Sequence, residues 1–187
     1  MSPRSAPVAF RAHDHTACQS QILARAEAHC RQGKLRLTPV RRRALQILLE
    51  AHRAVGAYEM LERLSADGFG TQPPVAYRAL DFLVEAGCAH RVRRLNAYTA
   101  CMHPGEPHDP VLLICEGCGV VAESPSAGVQ TAIGAAALPL AFRVRRMNIE
   151  GTGLCPGCDP GPAQPFGADQ TAQAAPKDPD TGGGACH

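Results

Sequence analysis

The sequence has no tryptophan, only 4% aromatic residues, and no apolar run approaching the roughly 18 residues that a membrane span needs. A transmembrane helix and a membrane partner are therefore not expected. The opening residues lack the basic, apolar, small-residue order of a secretory signal, so the expected location is the cytoplasm. Also missing are H-E-x-x-H and the H-x-E with P-C-x-x-C signature of zinc hydrolases and deaminases, and Cys155-Pro156 has the wrong order for the latter. What is present suffices for ordinary cores: 45% of the residues are apolar, and 187 residues allow one domain or two small ones.

The small net charge of +2 hides an asymmetry. Residues 1–95 hold 15 Lys/Arg against 8 Asp/Glu, whereas residues 96–187 hold 4 against 9. A basic half suits a polyanion, because neutralised phosphates release counterions. Nine cysteines without an export signal point to metal ligation or catalysis rather than a disulfide framework.

Residues 1–18 read as a disordered leader, with His13, Asp14 and His15 as a stray metal-binding possibility. The spacing of Ile22, Leu23, Ala26 and Cys30 predicts a helix over 19–32, stopped by Gly33. Thr38-Pro39 is a start signal for a second helix, to about residue 51, with the Thr hydroxyl expected to cap a free amide. Its stripe is Val40, Ala44, Ile47 and Leu48. A shorter helix over 57–66 turns Met60, Leu61 and Leu64 inward. Pro73-Pro74 opens the next, where Leu80, Leu83 and Val84 are apolar while Tyr77, Arg78 and Asp81 lie off the stripe.

After Gly87 the period becomes two, and residues 88–93 with 97–101 predict a hairpin. Helices followed by a hairpin make a winged helix-turn-helix; a plain helical bundle with solvated arginines is the alternative. Residues 102–110 read as a hinge. Strands at 111–115 and 120–124, an Ala-rich helix over 126–137 started by Ser124-Pro125, and a strand from Leu140 to about 150 make a second small unit. Beyond Cys158 the composition is too polar and Pro/Gly-rich to order itself. The fold class is thus α+β: a DNA-binding winged helix over 19–101, a hinge, a small α/β unit over 111–158, and a disordered tail over 159–187.

Cys115-x-x-Cys118 and Cys155-x-x-Cys158 can converge four thiolates on one structural zinc. A redox dithiol would need a thioredoxin-like context that is absent. If the hairpin turns on Leu95-Asn96, His90 and Cys101 are direct cross-strand neighbours that can share a metal, although Leu95 does not tolerate the backbone this turn demands and a longer loop stays open. His108 and Glu123 could complete the shell, with His103, Asp109 and Glu116 as rivals. Such donors favour zinc over hard cations.

Leu37-Thr38-Pro39-x-Arg41, the stretch Pro73-Pro74-Val75-Ala76-Tyr77-Arg78-Ala79-Leu80-Asp81-Phe82-Leu83, and Cys115-x-x-Cys118-Gly119 with a later Cys-x-x-Cys resemble the ferric uptake regulator family, most of all its zinc uptake regulator branch. The likeness covers about residues 19–158. It implies a homodimeric repressor that binds palindromic double-stranded DNA when zinc-loaded and controls zinc uptake genes, with the second unit as the dimerisation domain. It also implies two zinc ions per monomer: a structural one on Cys115, Cys118, Cys155 and Cys158, and a sensory one on His90, Cys101, His108 and Glu123. Tyr58 and Arg78 match base-reading positions, and Arg41 and Tyr77 match backbone contacts.

The sequence departs from the family pattern in places. Val75-Ala76 replaces the usual Thr-Val, and a shorter segment after Cys101 leaves His103 a substitute ligand. The His-rich run of iron sensors is absent, which disfavours the iron or peroxide-sensing alternative. A zinc-dependent hydrolase is a further alternative, needing an open coordination position that this shell does not offer. Cys186-His187 is a chance pair at the end of the tail.

Overall fold

The computed structural model describes residues 8–10 and 14–161. The tail beyond 161, Cys186-His187 and His13 lie outside the described residues. Val8–Phe10 forms a 3-10 turn, and helix α1 runs His15–Gln32, starting before the expected residue 19. Asp14 starts it: its carboxylate accepts the Ala17 N–H at 3.1 Å. Gly33 ends it, donating to the His29 carbonyl.

Helix α2 spans Pro39–Leu49. Thr38 stands at its cap position, but the hydroxyl makes no capping bond; the residue contributes its carbonyl, which accepts the Arg42 N–H at 2.9 Å. The fixed φ of Pro39 is what sets the start. Helix α3 is Ala57–Ala66 and α4 is Pro73–Glu85. Ala44, Leu45, Leu48, Met60, Leu64, Leu80 and Leu83 are almost fully buried together with Ile22, Ala26 and Cys30 of α1, so one aliphatic core holds all four helices.

A sheet closes this unit: β1 (Val55–Gly56), β2 (Ala89–Val92) and β3 (Ala97–Ala100), antiparallel in the order β1-β3-β2. The hairpin register differs from the expected one. Ala89 faces Ala100, His90 faces Thr99 and Val92 faces Ala97, leaving a four-residue turn from Arg93 to Asn96. Only Asn96, at φ 47°, takes a left-handed conformation there, so Leu95 escapes the strain of a two-residue turn. His90 and Cys101 are consequently diagonal rather than direct neighbours. A slip of two residues keeps both on one face, whereas a slip of one would have separated them.

The second unit pairs β4 (Val111–Cys115) antiparallel with β5 (Val121–Ser124) and parallel with β6 (Ile149–Gly153). Helix α5, Ala127–Ala137, lies between β5 and β6 in sequence. Its cap position is Ser126, not Ser124, and the Ser126 hydroxyl bonds the Gln130 side chain rather than a free amide. The strand expected from Leu140 does not form. Leu138–Leu140 is a 3-10 turn, Ala141 adopts φ 51°, and β6 begins only at Ile149. The alternation of Leu140, Phe142 and Val144 is interrupted at Ala141, whose left-handed backbone an extended strand does not contain, and residues 142–148 join no strand.

The two units meet. Val92 of β2 packs with Leu112, Ile114 and Val121, with Ala54 beside them. The His52 carbonyl accepts the Val121 N–H at 2.7 Å, and Arg53 bridges Val120. No helix among the described residues is long and apolar enough to cross a membrane.

Candidate metal centres and nucleic-acid interface

The first centre follows from the parallel pairing of β4 and β6. That register puts Cys115 opposite Gly153, so the turn after β4 and the turn after β6 lie side by side despite 36 intervening residues. Each Cys-x-x-Cys folds into a tight knuckle, with Gly119 N–H donating to the Cys115 carbonyl and Cys158 N–H to the Cys155 carbonyl, both at 2.9 Å. Cys118 Sγ lies 3.7 Å from Cys155 Sγ, and the four sulfurs are within 4.8 Å of one another. A tetrahedral four-thiolate zinc shell with bonds of about 2.3 Å has edges of about 3.8 Å, so the spacing fits.

Gly117 leaves room for the sulfur of Cys158, which a Cβ there would meet at 2.9 Å. Amides favour the thiolate form at Cys115: N–H groups of Cys155 and Cys118 pull its thiol down to about 6. Neighbouring thiols push Cys158 up to about 12. Four sulfurs cannot all ionise side by side without a cation. Among the described residues the cysteines form no disulfide.

The second centre is drawn from three parts of the chain: His90 on β2 and Cys101 just after β3, His108 in the segment between β3 and β4, and Glu123 on β5. Their donor atoms also lie within 4.8 Å of one another. His90 Nε2 is 3.2 Å from Glu123 Oε1, His108 Nε2 is 3.6 Å from Glu123 Oε2, and Cys101 Sγ is 3.5 Å from His108 Nε2. Tetrahedral shells with bonds of about 2.0–2.3 Å have edges of about 3.3–3.8 Å, close to these separations.

His90 Nε2 and Glu123 Oε2 are buried without a well-formed hydrogen bond although each faces a neighbour at 3.2–3.6 Å, an arrangement that a shared cation would satisfy. Burial alone would raise the Glu123 carboxyl, but His90, the Met102 N–H at 3.0 Å and His108 outweigh it and hold the carboxyl below its ordinary value. Burial and the Glu123 charge push the Cys101 thiol well above its usual range.

Of the rivals, His103 is exposed and contributes its backbone N–H to Cys101 Sγ at 3.3 Å. His108 is aimed instead: its Nδ1 is 2.6 Å from the Glu106 carbonyl, leaving Nε2 for the cluster. Asp109 and Glu116 are exposed and outside it.

The candidate nucleic-acid contacts lie at the starts of α2, α3 and α4. Tyr58 is 71% exposed near the start of α3, and Tyr77 and Arg78 are exposed near the start of α4. Arg41 is anchored within the protein. Its guanidinium stacks on Phe82 at 3.7 Å and donates to the Arg36 carbonyl at 2.7 Å. Arg36, Arg41 and Arg78 share a groove of about 450 Å³ with Thr38 and Val75.

Sequence reasoning missed Glu150. From β6 its carboxylate accepts the Arg93 N–H at 2.7 Å and the Arg94 N–H at 2.9 Å, tying the hairpin turn to the second unit. No local pattern announces it, since its partners are two backbone amides more than fifty residues away.

The zinc uptake regulation protein of Escherichia coli K12 is 37% identical to the chain over 139 residues, 74% of this chain and 81% of that protein. The chain belongs to the ferric uptake regulator family, in its zinc uptake regulator branch. The Shigella flexneri zinc uptake regulation protein matches to the same extent. A zinc uptake regulator solved with zinc and DNA superposes with a TM-score of 0.70 at 37% identity, covering 75% of this chain and 94% of that one. The structure described as holo XcZur gives a TM-score of 0.68 at 35% identity, covering 76% and 99%. No family model matches the chain. A member of this branch is a transcription regulator and not an enzyme, so the hydrolase alternative falls.

Proposed function

We propose that the protein is a cytoplasmic, zinc-responsive repressor that binds palindromic operator DNA as a homodimer and controls zinc uptake genes. The observation that carries this reading is the buried pair His90 Nε2 and Glu123 Oε2, neither with a well-formed hydrogen bond, in a cluster whose donors come from the hairpin, the hinge and the second sheet. Residues 19–101 act as the reading head, 102–110 as the hinge and 111–158 as the dimerisation unit.

Two ions per monomer are assigned: a structural zinc on Cys115, Cys118, Cys155 and Cys158, and a sensory zinc on His90, Cys101, His108 and Glu123. Bound zinc supplies positive charge that lets Cys101 ionise and cancels the buried Glu123 carboxylate. The protein's own residues do the rest. Cys101 and His90 carry the head, Glu123 carries the second sheet, and drawing them together fixes the angle between the two heads of a dimer. Half-sites on DNA are separated by set helical turns, so an unfixed joint lowers affinity. Moving such an equilibrium from 1:99 to 99:1 takes about 5.5 kcal/mol of preference for the closed form. Arg78 reads guanine and Tyr58 a neighbouring base, while Tyr77 and Arg41 position the phosphates.

The apolar α5 supports dimerisation: none of its residues is buried within the chain, and Leu138, Leu140 and Phe142 follow it 67–80% exposed. The test is operator binding against buffered free zinc with a parallel metal count. Steep zinc dependence with two ions per chain at the free zinc where binding switches supports the reading, and an equal response to iron or manganese overturns it.

A further inference from the structure

We propose a third metal site, separate from both centres above, formed by His15, Cys18 and His52. One donor atom from each residue lies within 4.8 Å of the others. His15 and Cys18 are three apart on α1 and so share a helix face. His52 comes from the segment between α2 and β1, and its ring meets that of His15 edge-on with centroids 4.8 Å apart. The site therefore joins two separate pieces of chain, as a metal cross-link must.

The backbone contact that His15 makes is compatible with ligation. Its Nε2 lies 2.9 Å from the Glu50 carbonyl oxygen. An imidazole that donates Nε2–H to a carbonyl is fixed in the tautomer whose Nδ1 carries the lone pair, the common arrangement of ligating histidines. His108 is held in the mirror sense, through Nδ1 and the Glu106 carbonyl. Asp14 is already used, since it caps α1.

Two imidazoles and one thiolate suit a late first-row divalent ion, zinc above all, with cobalt as its spectroscopic stand-in. Three protein donors leave one position for water, so this site fills at higher free zinc than the four-donor centres. Its position gives it a structural consequence. The His52 carbonyl accepts the Val121 N–H and Arg53 bridges Val120, so an ion on the His52 ring fastens α1 to the segment that enters the joint.

The test uses the full chain and its His52→Gln and Cys18→Ser variants, dialysed against buffered zinc and, separately, cobalt. Wild type is expected to bind one ion more per chain than either variant at high free zinc. The weaker phase of thiolate-to-cobalt absorption is expected to disappear in both, while operator binding at low zinc is unchanged. Equal metal counts in wild type and His52→Gln overturn the proposal. So does an extra ion that survives both variants and disappears only when Cys186 and His187 are removed. Loss of low-zinc operator binding without loss of the extra ion would instead count against the site being separate from the hinge centre.

Discussion

Cys101 is where the proposed sensory role and the packing of the core separate. It is fully buried, yet its sulfur faces His108 and the His103 amide rather than the aliphatic cluster. Cys101→Ser is expected to leave a folded dimer whose operator binding no longer responds to zinc; gel-shift titration and sedimentation separate the two properties. Arg78→Ala is expected to lose about 1–3 kcal/mol of discrimination against altered operator bases while non-specific binding falls little. A uniform loss across sequences would make Arg78 a phosphate contact. At this scale the pairing of cysteines within each Cys-x-x-Cys was legible from spacing, and the structure brings the two pairs within 4.8 Å. The choice between His108 and His103 was not, because it rests on which ring the hinge loop points inward, and Glu106 decides that through a backbone carbonyl.

The hairpin is the element that carries the joint. Its turn lends two amides to Glu150, and its Val92 lies in the second unit's apolar cluster. Glu150→Gln is expected to weaken operator binding at saturating zinc while leaving the metal count unchanged, measured by fluorescence anisotropy and metal analysis. Burial opposes the charge of Glu150, but Asn148 and the amides of Arg94 and Arg93 hold its carboxyl below the ordinary value. A lowered folded-state value means that this contribution is complete above the ordinary glutamate range, near pH 4.3, and disappears as pH falls through the lowered value. The difference in thermal stability between wild type and Glu150→Gln is therefore expected to shrink at acid pH. The hinge has its own constraint: Gly105 sits at φ 88°, where a Cβ would meet His29 Nδ1 at 2.8 Å. Gly105→Ala is expected to cost about 1–2 kcal/mol from the left-handed backbone alone, read by thermal unfolding. The helices of the head were predictable because their apolar spacing is periodic. The hairpin register was not, since loop length is set by what Leu95 can tolerate and by contacts made elsewhere.

For the whole molecule, the decisive feature is that the chain leaves an apolar helix and turn uncovered while burying charge at a joint. Phe142→Asp is expected to dissociate the dimer without unfolding the head, seen as a halved mass by sedimentation with the α-helical signal largely retained. Mild chelation is expected to abolish operator binding with the dimer intact, whereas replacing Cys118 is expected to dissociate it, read by sedimentation. Retention of full operator affinity after removal of exchangeable metal would overturn the zinc-responsive reading.

The sequence by itself determined the four helices and the hairpin of the head but not β1, together with the basic and acidic halves and the two Cys-x-x-Cys pairs, because periodicity, charge and ligand spacing are local properties. Only the tertiary structure decided that β6 runs parallel to β4 and so unites the knuckles, and that His108 rather than His103 faces Cys101. It alone also brought Glu150 to the hairpin turn and His52 to α1. These are meetings between residues far apart in the chain, and they depend on strand register and loop path, which no local pattern encodes.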